Sequence, residues 1–81
     1  MKVRLKLFSV AKDLAGFGER EIELAPSPNV THVAELLTSI NPQFKAWSKS
    51  LRFAVNQEYV EITHALNEND EVAVIPPVSG G

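Results

Sequence analysis

Between Thr31 and the Asn41-Pro42 pair, the apolar residues Val33, Leu36, Leu37 and Ile40 recur at i, i+3, i+4 and i+7, the spacing of a single helix face. Thr31 is the expected N-cap, and Asn41-Pro42 the stop, because a residue before proline is pushed out of the helical region. Only Phe44, Trp47 and Leu51 suggest a further short helical stretch. One amphipathic helix cannot bury its stripe alone, so the rest of the chain must supply a surface for it to cover.

That surface reads as strands. Val3, Leu5 and Leu7 alternate with Lys2, Arg4 and Lys6, the pattern of a half-buried strand. Phe8 and Val10 break the alternation, either as an exposed contact or as the strand end passing under a loop. Gly16 to Gly18 forms a turn, and Glu19, Glu21 and Glu23 alternating with Arg20, Ile22 and Leu24 make a second strand, so the two read as a hairpin. After a loop marked by Pro26 and Pro28 and the helix come short strand candidates at 53–56 and 59–62, then a last strand at 71–75 after the turn Asn67 to Asp70. The order strand, strand, helix, strand, short strand, strand predicts an α+β domain of two layers, with the first and last strands side by side in the middle of a mixed sheet.

Eighty-one residues suffice for one domain only. With no cysteine there is no disulfide, no thiolate metal site and no thiol nucleophile in the chain itself, so any sulfur chemistry must be borrowed. The net charge of −2 does not point to nucleic acid, which selects for basic surfaces. Its distribution is uneven: from Phe53 onward the charged residues are Glu58, Glu61, Glu68, Asp70 and Glu71, all acids. This is either a solvated face or one that steers toward a basic partner. No segment resembles a secretory signal or a membrane span, and the expected location is the cytoplasm.

Most chemical constellations fail. His32 and His64 lack the pairing that would make a metal site and read as surface histidines. The serines lack a nucleophile-elbow context, and Gly16 and Gly18 lack the lysine and further glycine of a phosphate loop. Asn29-Val30-Thr31 is a chance match to a glycosylation sequon.

The C-terminal run IPPVSGG is different. Pro76 and Pro77 cannot donate to a sheet ladder, so pairing must end there and the chain must leave in an extended course. Val78, Ser79, Gly80 and Gly81 then form a thin arm, since two terminal residues without β-carbons fit a channel that excludes bulkier chains. Chain ends are often glycine-rich and frayed, but a stiff two-proline exit joined to a terminal di-glycine fits a functional arm better. Its reactive group is the α-carboxylate of Gly81, ionised at neutral pH and a poor electrophile. Activation requires a better leaving group, such as the AMP of an acyl-adenylate, and hence a separate ATP-using enzyme. Attack by sulfur would then give a C-terminal thiocarboxylate, and attack by a lysine amine an isopeptide-linked modifier.

Taken together, the blocks VRLKLFSVAKDLAG, HVAELLTSINPQF, FAVNQEYV and NDEVAVIPPVSGG resemble, over the full length, the MoaD family of sulfur-carrier subunits of molybdopterin synthase, within the ubiquitin-like β-grasp superfamily. The last block is the most specific, because di-glycine alone is shared with ubiquitin-like modifiers and the thiamine sulfur carrier. The resemblance implies a β-grasp fold of about five strands covered by one main helix plus a short one, with the domain at 1–75 and a flexible tail at 76–81. It also implies that a MoeB-like, E1-type enzyme adenylates Gly81 with ATP and that a sulfur donor protein converts it to a thiocarboxylate. Pro76, Pro77, Val78, Ser79 and Gly80 would then carry Gly81 into a MoaE-like large subunit within a heterotetramer. There the sulfur passes to cyclic pyranopterin monophosphate, forming molybdopterin.

The carrier would be no enzyme by itself, would bind no cofactor or metal, and would touch neither nucleic acid nor membrane. Phe8, Tyr59 and Ile75 are the expected partner-facing apolar residues, each with ordinary core as the competing role. The chain departs from the family pattern at Lys12-Asp13, at Asn69-Asp70, where asparagine must take the positive φ that glycine provides, and at Val74-Ile75, where aromatic residues are common. A lysine-conjugated modifier, a carrier for thiamine or tRNA thiolation, and a plain interaction module remain the alternatives.

Overall fold

The computed structural model describes residues 1–47 and 49–76. Five strands, β1 (Lys2–Leu7), β2 (Glu19–Glu23), β3 (Arg52–Val55), β4 (Glu58–Val60) and β5 (Glu71–Ile75), and three helices, α1 (Ser9–Ala15), α2 (Val30–Ile40) and α3 (Gln43–Ala46), follow one another as β1-α1-β2-α2-α3-β3-β4-β5. The strands form one sheet in the order β2-β1-β5-β3-β4. β1 and β5 run parallel at its centre, and the other pairings are antiparallel. The first and last strands are therefore neighbours, as the alternation pattern predicts. The mixed sheet under helices is the β-grasp arrangement.

Strand alternation sorts the side chains into two faces. Val3, Leu5 and Leu7 of β1, Phe53 and Val55 of β3, and Val72 and Val74 of β5 point to the helices and are buried with Ala11, Val30, Val33, Leu37, Phe44 and Leu66. Phe44 meets Trp47 edge to face, with ring centroids 6.1 Å apart, so Trp47 is core filler, as its position suggests.

Three local expectations are corrected. The first pair of strands is not a simple hairpin, because α1 intervenes. Seven residues, SVAKDLA, give barely two turns, too few for a periodic signal to separate from a loop. Ala11 is nevertheless fully buried, Leu14 and Ala15 pack on the core, and Gly16, at φ 87°, donates its N–H to the Lys12 carbonyl to end the helix. The break in alternation at Phe8 and Val10 marks this change of element: Phe8 is the extended residue before α1, and Val10 lies exposed in its first turn.

The cap of α2 is Asn29 rather than Thr31. Asn29 Oδ1 accepts from the Thr31 N–H at 2.9 Å, and His32 Nδ1 accepts from the Asn29 N–H at 2.9 Å, so two of the orphan donors at this end are satisfied reciprocally. His32 is exposed, as expected of it, but it has this structural task. The buried stripe accordingly starts one turn earlier, at Val30, Val33 and Leu37, while Ile40 is exposed.

Polar groups fix the loops that frame the sheet. Asn56 and Gln57, at φ 51° and 73°, make the two-residue turn between β3 and β4, with the positive φ pair that matches strand twist. The buried Asp70 accepts from Asn56 Nδ2 at 3.0 Å and from the Asn67 N–H at 2.8 Å. Asn56 Oδ1 in turn accepts from the Glu71 N–H, so one carboxylate joins the β3–β4 turn to the start of β5. Asn69 takes φ 67°, the conformation expected of it.

Candidate docking face and tail exit

The face of the sheet away from the helices has two halves. Over β1 and β2 it is a lattice of ion pairs: Met1 N to Glu23 at 2.8 Å, Lys2 to Glu21 at 3.8 Å and Arg4 to Glu19 at 2.8 Å, with Lys6 reaching Glu71 on β5 at 3.2 Å. The N-terminal ammonium donates to Glu23, and this hydrogen bond, followed by the ammonium charge and that of Lys2, holds the Glu23 carboxyl below its ordinary value. Exposed pairs of this kind contribute little to stability, but they leave the strip closed to an apolar partner.

Toward the other edge the same face turns apolar. Leu7 pairs with Val74, so Phe8, the next residue, stands beside Ile75, which is opposite Arg52. Ala73 pairs with Ala54, and Ala54 with Tyr59. Phe8 is 49% exposed and Tyr59 68%, while Ile75 is half-buried. The three residues expected to face a partner thus lie on one surface, at the end of the sheet where β5 finishes. Ala54 and Ala73 form a low floor between them, Ala54 buried and Ala73 half-buried.

Sequence reasoning missed this floor and two other members of the patch, Arg52 and the exposed Ile62. The outward assignment of Ala54, Ala73 and Arg52 depends on the register of β3 against β5, which no local pattern carries. Pro76 follows β5 and is buried. The tail residues Pro77, Val78, Ser79, Gly80 and Gly81 lie outside the described residues. Among the described residues there is no cluster of three or more histidine, aspartate or glutamate side chains placed to hold a metal ion, and no helix is long and apolar enough to cross a membrane.

Comparison with known proteins gives a consistent result. The model of the ThiS family matches residues 5–81. A molybdopterin synthase sulfur carrier subunit from Chlamydomonas reinhardtii is 34% identical, and the match covers 100% of both chains. Among solved structures, a Pyrococcus furiosus protein described as a candidate molybdopterin converting factor, subunit 1, superposes with a TM-score of 0.84 at 32% identity, covering 96% of this chain and 99% of the other. A chain in the Helicobacter pylori complex of subunits 1 and 2 of molybdopterin-converting factor superposes with a TM-score of 0.70 at 21% identity, covering 100% of both.

Proposed function

The chain belongs to the ThiS family, in its group of molybdopterin synthase sulfur carrier subunits, and from that premise we propose that it carries sulfur on its C-terminal glycine for molybdenum cofactor biosynthesis. The observation that supports this most is the match to a sulfur carrier subunit along the whole of both chains. The apolar strip of Phe8, Ile75 and Tyr59 beside the end of β5 adds a docking surface next to the point from which the reactive arm departs.

In this reading an E1-like enzyme binds the domain and brings the Gly81 carboxylate to ATP. The carboxylate oxygen attacks the α-phosphorus, pyrophosphate leaves, and an acyl-adenylate forms. A sulfur nucleophile then attacks the acyl carbon and AMP leaves; sulfide gives the thiocarboxylate directly, whereas a persulfide donor gives an acyl disulfide, from which a thiol reductant releases the thiocarboxylate and the donor's thiol. The charged carrier docks on the large subunit through the apolar strip, and residues 76–80 extend Gly81 into that subunit's active site. Transfer of sulfur to the pterin precursor regenerates the carboxylate. The domain supplies docking and direction, the large subunit supplies the groups that act on the pterin, and two carriers flank a large-subunit dimer.

Intact-mass analysis of the chain, produced alongside its activating enzyme with sulfur in excess, tests the reading. A fraction heavier by one sulfur-for-oxygen exchange at Gly81 is expected. Its complete absence, or the appearance of denaturant-resistant conjugates to lysines instead, would overturn the carrier assignment.

A further inference from the structure

Every cation of the outer sheet face over β1 is already satisfied: the Met1 ammonium, Lys2, Arg4 and Lys6 all meet carboxylates within the chain. Arg52 is the exception. It projects from β3 on the same face, between Ile75 on β5 and the line of β4, and among the described residues it makes no ion pair and no side-chain hydrogen bond. Glu61 stands one step beyond the Phe53–Val60 pair, across from Arg52 in the antiparallel register, yet no ion pair joins them. Both line a notch of about 380 Å³, together with Leu51, Phe53, Tyr59, Val60 and Ile62.

We propose that this notch is a charge-specific docking point, in which Arg52 receives an acidic side chain from the same partner that covers the apolar strip. The inference rests on the sulfur-carrier reading and extends it. A partner lying across Phe8, Ile75 and Tyr59 also removes water from Arg52, because Ile75 is its immediate neighbour. A guanidinium stripped of water without a counter-charge opposes binding, whereas a carboxylate held by its planar fork favours it. The complementary surface is therefore an apolar segment with one carboxylate beside it. A polyanion such as nucleic acid does not fit, because among the described residues lining the notch Arg52 is the one cation, set beside Glu61, and a single guanidinium cannot neutralise a run of phosphates. Arg52 thus adds selectivity to a strip whose apolar contacts alone would accept many partners.

The test measures the affinity of the full chain for the large subunit of molybdopterin synthase by titration calorimetry, comparing the wild type with R52K, R52Q and R52E. R52E is expected to weaken binding at least tenfold, R52Q severalfold, and R52K least, and the salt dependence of Kd is expected to flatten in R52Q. Arg52 is exposed, so the melting temperatures of all four proteins should coincide. Binding of R52E within twofold of wild type overturns the proposal and leaves the carrier reading intact. Failure of the wild type itself to bind overturns both. The same comparison on a chain ending in a C-terminal carboxamide identifies the source of the carboxylate: if the effect of R52E persists, the partner supplies it, and if it vanishes, Gly81 is the occupant and the proposal is overturned.

Discussion

Replacing Tyr59 with alanine should weaken the complex with the large subunit strongly while leaving the fold almost untouched. An aromatic side chain offers about 150–250 Å² for burial, and Tyr59 is 68% exposed, so about 100–170 Å² of it is free to be covered by a partner. At about 25 cal/mol per Å² the ceiling is about 2.5–4 kcal/mol. Alanine keeps part of that area and ordering of the ring costs something, which places the expected loss at about 1.5–3 kcal/mol, a rise in Kd of about 10- to 150-fold. Phe8, at 49% exposure, has less uncovered area, so Phe8→Ala should cost less than Tyr59→Ala. Titration calorimetry gives both values, and thermal melts provide the control, with Tyr59→Ala expected to shift Tm by less than about 2 °C because its ring contributes little to the core. A Tyr59→Ala chain that binds the large subunit within twofold of wild type would refute the placement of the docking face on this side of the sheet.

Two further substitutions probe how the domain holds itself together. Asp70→Ala leaves the Asn67 N–H and the Asn56 amide without their acceptor and should destabilise the domain by about 2–4 kcal/mol in urea unfolding; a loss below about 1 kcal/mol would mean the β3–β4 turn is held by other contacts. Glu23→Gln removes the partner of the N-terminal ammonium. Because the Glu23 carboxyl is held below its ordinary value of 4.5, its contribution is fully present above that pH and is lost as the pH falls through the lowered value. The variant should therefore show a flatter acid limb in stability-versus-pH curves, and added salt should flatten the wild type likewise; parallel acid limbs would contradict the pairing.

The alternation in β1 and β2 was readable in the sequence because each exposes one face, so every second residue reports its environment. The helix α2 was readable for the same reason at a different period. The residues that escaped notice are those whose roles are set by distant partners. Nothing near Ala54 announces that it faces Ala73 outward, and Arg52 looks like an ordinary strand charge until its neighbours are known. Helix α1 escaped because two turns hold too few periodic positions, although Gly16 after Leu14 and Ala15 was a usable stop signal. The shift of the cap from Thr31 to Asn29 has a similar origin. Both residues suit the position, and the choice is made by tertiary contacts, with Val30 and Thr31 donating to the His64 and Ile62 carbonyls. Of the candidate site, Phe8, Tyr59 and Ile75 are named from position and resemblance and the sheet places them on one surface, whereas Arg52 emerges only from the sheet register.

The parallel pairing of β1 with β5 also sets the timing of folding. The strand made first cannot find its central neighbour until the strand made last among these elements has appeared, so the middle of the sheet closes over nearly the whole length of the chain. Before that, β1–β2 and β3–β4 exist only as separate two-stranded ribbons, each too small to be stable alone. Contacts of such long sequence separation slow the search for the native state. They also couple maturation of the domain to the arrival of the segment that leads directly into the tail. The docking strip contains residues from both ribbons and from β5, so it does not exist on a partly folded chain. A partner that recognises this assembled surface would therefore engage only chains whose folding has finished.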